Sequence, residues 1–163
     1  MYIFDKAEQE KLFDAARTRQ RLRMNHNIHV QLSDPVQRLF NAMQPLSYVQ
    51  PHRHIGPDAW EVFVLVQGQG VALTFDENGV VTHRAHLCVD GARMVEIPTS
   101  TYHTVIALAE DTLFFEIKRG PYDPNKAKDF ACWAPMENEA GVAEYALWMQ
   151  HAVVGTNFGG YNP

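Results

Sequence analysis

Short apolar runs separated by turn residues recur along the middle of the chain, at 46–50, 61–66, 71–75, 80–87, 93–97, 103–108 and 112–118. Many short strands at nearly regular spacing predict a mainly β fold, either a sandwich, a jelly roll or a small barrel. Between two of these runs lies Asp76-Glu77-Asn78-Gly79, a hairpin signal, because Asn-Gly accepts positive φ at little cost. Before the strands the period changes. Residues 5–23 read as a helix, with Asp5 and Glu8 forming a capping box and Ala7, Leu12, Phe13 and Ala16 at helical spacing. Ser33-Asp34-Pro35 reads as the start of a second short helix, whose apolar face would be Val36, Leu39, Phe40 and Met43. After 120 the pattern fades, with a short helix expected over 137–149 and a loose tail over 155–163. The organisation predicted is one structural domain. An N-terminal helical segment (1–45) packs on a β-barrel core (46–120), and a C-terminal extension (121–163) follows.

Composition narrows the class. With 163 residues the chain has the size of one domain and can bury a core without disulfide staples. Hydrophobic residues make up 46% and charged residues 20%, which fits a globular chain rather than a disordered one. A net charge of −5 and the lack of a basic run argue against a nucleic-acid partner. No window approaches the ~18 apolar residues of a membrane span, and the N-terminus MYIFDKAEQEK does not read as a signal peptide. A cytoplasmic protein is expected. Cys88 and Cys132 form no CxxC pair and are expected as free thiols.

The chemistry concentrates in PHRHIGPDAWEVFVLVQG. In an extended segment residues i and i+2 share a face, so His52 and His54 aim the same way and Arg53 the other. Glu61 opens the next strand with Phe63 and Leu65 on its face. A bare carboxylate on a buried face is costly, and such groups are paired or metal-bound. His103 stands at the head of the strand HTVIAL, after Pro98. Three imidazoles and a carboxylate at strand ends suit a divalent transition metal such as Zn, Fe, Mn or Ni, with positions left open for water or substrate. The competing reading makes His52 and His54 surface residues and pairs Glu61 with Arg53 or Arg84. Candidate pocket groups are Tyr48, Arg53, Tyr102, Glu116 and Lys118, with His29 from the polar stretch MNHNIHV. Glu116 and Lys118 alternate with Phe115 and Ile117 and so share one face; plain exposure would explain them too. His83 and His86 are three apart in a strand and cannot chelate together.

These residues resemble the cupin superfamily. Its first motif (glycine, HxH, a short spacer, glutamate, six residues, glycine) is met by His52, His54, Glu61 and Gly68, and its second by Gly91, Pro98 and His103. The His54–Glu61 spacer is longer than usual, Ser100 stands where the motif has glycine, and Ala107 where it has asparagine. The WbuC-type cupin-fold metalloproteins, found among bacterial O-antigen genes, are similar along 21–29, VQRLFNA, PHRH, WEVFVLVQG, VEIP, His103 and EIKRGPYDP. The resemblance implies a double-stranded β-helix, the cupin or jelly-roll barrel, with short N-terminal helices, one bound divalent metal and a homodimer. It leaves the reaction open. A metal-dependent isomerase or epimerase acting on a small sugar-like or sugar-acid substrate is one expectation. An iron-dependent oxygenase, a non-catalytic metal-containing sugar- or effector-binding module, and a metal-free jelly-roll epimerase are the others.

Overall fold

Two five-stranded antiparallel sheets pack face to face in the computed structural model, which describes residues 1–123 and 128–159. Pro124 of EIKRGPYDP and residues 160–163 of the expected tail lie outside the described residues. In chain order the elements are α1 (Lys6–Thr18), β1 (Arg23–Asn27), β2 (Val36–Met43), β3 (His52–Arg53), β4 (Glu61–Gln67), β5 (Gln69–Phe75), β6 (Val81–Cys88), β7 (Met94–Ile97), β8 (Tyr102–Ala107), β9 (Thr112–Arg119), β10 (Asp129–Phe130) and α2 (Val142–His151). The first sheet runs β1-β2-β9-β4-β7 and the second β10-β3-β8-β5-β6. Apart from the neighbours β1–β2 and β5–β6, successive strands cross between sheets, and β4 pairs with the distant β9 while β5 pairs with β8. This is the expected double-stranded β-helix, a cupin fold.

Alternation along the strands assigns the layers. Phe63, Leu65 and Phe114 from the first sheet meet Ala72, Leu87, Val105 and Ala107 from the second to fill the space between them. On the outer face of the first sheet, Leu12, Phe13 and Ala16 of α1 cover Ala42 and Leu113. On the outer face of the second, Tyr145, Ala146 and Met149 of α2 cover Val71, Leu73 and Ile106. Each large apolar side chain so buried contributes about 1.5–3 kcal/mol. The Asp5 side chain caps α1 by accepting from Glu8 N at 3.0 Å, as the capping box predicts.

The expected helix at Val36 is instead strand β2, which pairs with β1 on one side and β9 on the other. Ser33-Asp34-Pro35 belongs to a turn in which the Asp34 carboxylate accepts from Val30 N at 3.0 Å. The apolar spacing misleads because burial in β2 does not follow polarity: Val36 is exposed while Gln37 and Asn41 are buried. Phe40 and Ala42 face α1, while Gln37, Leu39, Asn41 and Met43 face inward. Thus β1 and β2 are part of the barrel. Residues 46–50 are not a strand; the chain turns there through Leu46 at φ 67°. Gly68, which ends the first motif, sits at φ 82°, and a Cβ there would lie 2.5 Å from Thr112 Oγ1. Both facts require glycine.

Candidate metal centre

The inner end of the barrel gathers four side chains from both sheets. His52 on β3 pairs directly with His103 on β8, so their rings stand side by side, with centroids 4.7 Å apart. His54 follows two residues on, its ring 5.1 Å from that of His52 and 5.5 Å from that of His103. The chain then has to leave the second sheet and enter the first. The long His54–Glu61 spacer makes that crossing through Gly56 and Asp58, both at positive φ. It is pinned by Ser100 N donating to His54 O at 2.9 Å and Thr99 Oγ1 donating to Gly56 O at 2.8 Å. Ser100, standing where the motif has glycine, adopts φ 60°. Glu61 then enters β4 pointing inward across from the imidazoles.

The donor atoms of His52, His54, Glu61 and His103 all lie within 4.8 Å of one another. Their residues are 3%, 8%, 2% and 1% exposed. Two rings are oriented by the backbone: His52 Nδ1 lies 2.9 Å from Gln50 O and His103 Nδ1 2.8 Å from Thr101 O. A carbonyl only accepts, so each Nδ1 carries the proton and each Nε2 is left to present a lone pair to the centre. His103 Nε2 is 2.9 Å and His54 Nε2 3.4 Å from Glu61 Oε2. Burial, with the charge of Lys128 added, pushes His52 well below the usual imidazole range. Burial would raise Glu61, but the Lys118 ammonium and the adjoining imidazoles of His103 and His54 outweigh it and hold the carboxyl well below its ordinary value. A neutral imidazole and an ionised carboxylate are the forms that ligate. The donor set fits a divalent transition metal, and these four residues could hold one.

Beyond the donors runs a polar relay on the first sheet. Lys118 Nζ is 3.3 Å from Glu61 Oε1 and 2.6 Å from Glu116 Oε1, and Asn41 Nδ2 donates to Glu116 Oε2 at 2.5 Å. Burial works against the Lys118 charge, yet Glu116 and Glu61 prevail and raise its pKa. Burial and the neighbouring Glu61 raise Glu116 against the pull of Lys118. A cavity of about 590 Å³ opens over His52, Glu61, His103, Glu116 and Lys118, and His29 also lines it. A second cavity of about 190 Å³ reaches His54 from the side of Trp60 and Arg119. Lys118 and Tyr122 line both.

Three pocket candidates lie elsewhere. Tyr48 belongs to the core under α2, where its hydroxyl donates to Pro135 O at 2.6 Å. Arg53, one residue out of phase with the histidines, turns away to Asp129 and Glu77, both at 2.7 Å, with its guanidinium 4.4 Å from the centre of the Tyr102 ring. Tyr102 points outward for the same reason of alternation and packs in that core. Neither Arg53 nor Arg84 partners Glu61: Arg84 donates to Gln150 O. His83 and His86 are exposed, and Cys88 and Cys132 are free thiols. Beyond the candidates named from the sequence, the cavity is lined by Arg23, Asn25 and Asn27 of β1, Gln37 and Asn41 of β2, and Lys128. The even spacing within each of the two strands is the signal by which alternation groups these residues on one face. Lys128 gave none, since only the pairing of β10 with β3 brings it there.

Solved structures with the same fold include the capsular polysaccharide assembling protein CapF from Staphylococcus aureus. It is 20% identical, with a TM-score of 0.54, over 65% of this chain and 31% of that one. A CapF structure with the inhibitor 3-isopropenyl-tropolone is 21% identical with a TM-score of 0.54, over 65% and 30% of the two chains. Protein SO0799 from Shewanella oneidensis is 11% identical with a TM-score of 0.53, over 65% and 72%. The chain thus spans about a third of the length of the CapF chains it matches. No curated protein matches it. A family model described as "Domain of unknown function (DUF6016)" matches residues 4–87, just over half of the chain, and the protein with this cupin barrel belongs to that family.

Proposed function

We propose that this protein is a metal-dependent cupin enzyme of the WbuC type. On this reading His52, His54, Glu61 and His103 hold one Zn, Fe, Mn or Ni ion. The observation that carries the reading is the convergence of four buried donors, with the His52 and His103 rings fixed by backbone carbonyls so that Nε2 faces the centre. The substrate is a small sugar-like or sugar-acid molecule, and the reaction is an isomerisation or epimerisation next to a carbonyl. When bound, the ion would supply Lewis acidity, polarising a substrate oxygen. The chain's own residues do the rest. Asn41, Glu116 and Lys118 present a fixed polar face beside the donors for substrate hydroxyls, and Glu116 is the carboxyl group placed to exchange a proton with a bound substrate. The cavity is of a size that accepts a hexose.

The protein acts in the cytoplasm as a homodimer, in polysaccharide or O-antigen metabolism. The S. aureus neighbour is a capsular polysaccharide assembling protein, which supports a setting in polysaccharide metabolism. The test has two parts. Elemental analysis of the purified protein should find about one transition-metal ion per chain, and NMR in D₂O should show exchange of the proton next to the carbonyl of an aldose or uronate. Metal without exchange, together with oxygen uptake by the iron-loaded protein, would favour the oxygenase reading. Metal with a ligand recovered unchanged would favour a binding module.

A further inference from the structure

The cations that line the large cavity are Arg19, Arg21, Arg23, Lys118 and Lys128, and they differ in what neutralises them. Lys118 is held between Glu61 and Glu116. Arg23 donates to Tyr48 O at 2.5 Å and pairs with Glu137, which Arg21 also engages at 3.0 Å. Arg19 is exposed to solvent. Lys128 is half-buried, and among the described residues no hydrogen bond or ion pair meets its ammonium. It directly precedes β10, whose Phe130 pairs with His52, and so stands over the donor cluster. An ammonium withdrawn from water beside a site for a dication is costly unless an anion joins it. Glu61 and Glu116 are both engaged with Lys118, so the protein side of the cavity has no carboxylate to spare among the described residues.

We infer that Lys128 is the anion anchor of this cavity, and that the ligand is a hydroxylated monocarboxylate whose carboxylate meets Lys128. The inference rests on the metal-dependent reading above and narrows its substrate class. One unpaired ammonium matches a single negative charge; a phosphate dianion would call for a cluster of cations or a helix N-terminus, and the other cavity cations near the donors are already paired. The remaining groups suit hydroxyls. Asn25 and Asn27 bring carboxamides to the rim from β1, in line with Asn41 on β2.

The test is calorimetric titration of the metal-loaded full chain with D-gluconate, D-glucuronate, D-glucose and D-glucose 6-phosphate. Wild type should bind at least one of the two acids and bind glucose at least ten-fold more weakly. Lys128→Gln should lower the affinity for the acid ten-fold or more while keeping the metal content of wild type, and Lys128→Arg should restore most of it. Equal binding of glucose and the acids, tighter binding of the phosphate ester than of either acid, or full acid affinity in Lys128→Gln would each overturn the proposal. So would a wild type that binds neither acid. Metal content is read separately: a wild-type protein without metal removes the metal-dependent reading, whereas unchanged acid affinity in a metal-replete Lys128→Gln removes the anchor alone.

Discussion

His103 Nε2 stands 2.9 Å from Glu61 Oε2 although the two residues belong to different sheets. The Nδ1 of the same ring already donates to Thr101 O. The space between Nε2 and the carboxylate oxygen must therefore be bridged by a positive charge, either a second proton on the ring or a metal ion. His54 Nε2 lies 3.4 Å from the same oxygen. A dication there would bridge the carboxylate to both rings without charging His103 in a buried site.

Metal retention should therefore depend on each donor. His52→Ala, His54→Ala and His103→Ala should each lose the ion, and His83→Ala, on an exposed strand face, should keep it. Elemental analysis after gel filtration reads this directly. In the wild type a chelator should lower the melting temperature, since a ligand present at about 100 times its Kd stabilises by about 2.7 kcal/mol. A His103→Ala protein with normal metal content would remove β8 from the site.

Tyr48→Phe separates architecture from chemistry. The hydroxyl donates to Pro135 O from within the core under α2, away from the donors. Its loss leaves a buried carbonyl without that donor and should cost about 1–3 kcal/mol. Metal content should stay at the wild-type level. Denaturant unfolding and elemental analysis, run on the same preparation, check both halves.

The strands and the ligand motif were legible because alternation in extended chain fixes which way each donor faces. His52 and His54 point inward and Arg53 outward on that rule alone. The same rule, had it been applied to 36–43, would have placed Gln37 and Asn41 on the cavity wall. Val36, Leu39, Phe40 and Met43 also satisfy a helical period, and with apolar Val36 exposed and polar Gln37 and Asn41 buried the strand lacks the polar–apolar alternation that would break the tie. Tyr48 and Tyr102 looked like pocket groups by their nearness in sequence to the motifs, but the layer under α2 claims both. Lys128 reaches the site through a pairing of β10 with β3 that links segments far apart in the chain, and no local pattern encodes it.

Gly68→Ala tests the glycine that closes the first motif. Its φ of 82° is left-handed, and the new Cβ would lie 2.5 Å from Thr112 Oγ1 and 2.8 Å from Thr112 Cα. Conformational strain alone costs about 1–2 kcal/mol, and the clash with backbone adds to it because β4, β5 and β9 meet there. Thermal unfolding should show a clear loss of stability. Little change would mean that the turn can relax away from β9.

Lys118→Met probes the charge relay in metal-free protein. Glu61 is depressed in the folded state, so its share of stability is present above its ordinary value of 4.5 and is lost as pH falls through the lower, folded value. Lys118 is raised, so its share is complete below its ordinary value of 10.5 and is lost as pH climbs through the higher, folded value. Between pH 4.5 and 10.5 the Glu61 and Lys118 shares are therefore both complete, while Glu116, raised in the folded state, costs stability as pH climbs from 4.5 through its own raised value. Removing the ammonium leaves two buried carboxyls facing each other without their cation, and breaking such a pair costs about 3–5 kcal/mol near neutral pH. Acid should narrow the gap between variant and wild type, because protonation relieves the repulsion in Lys118→Met while it takes the Glu61 contribution from the wild type. Urea unfolding at a series of pH values from neutral down to about 4 reads the difference, and a gap that widens with acid would mean that Lys118 does not stabilise these carboxylates.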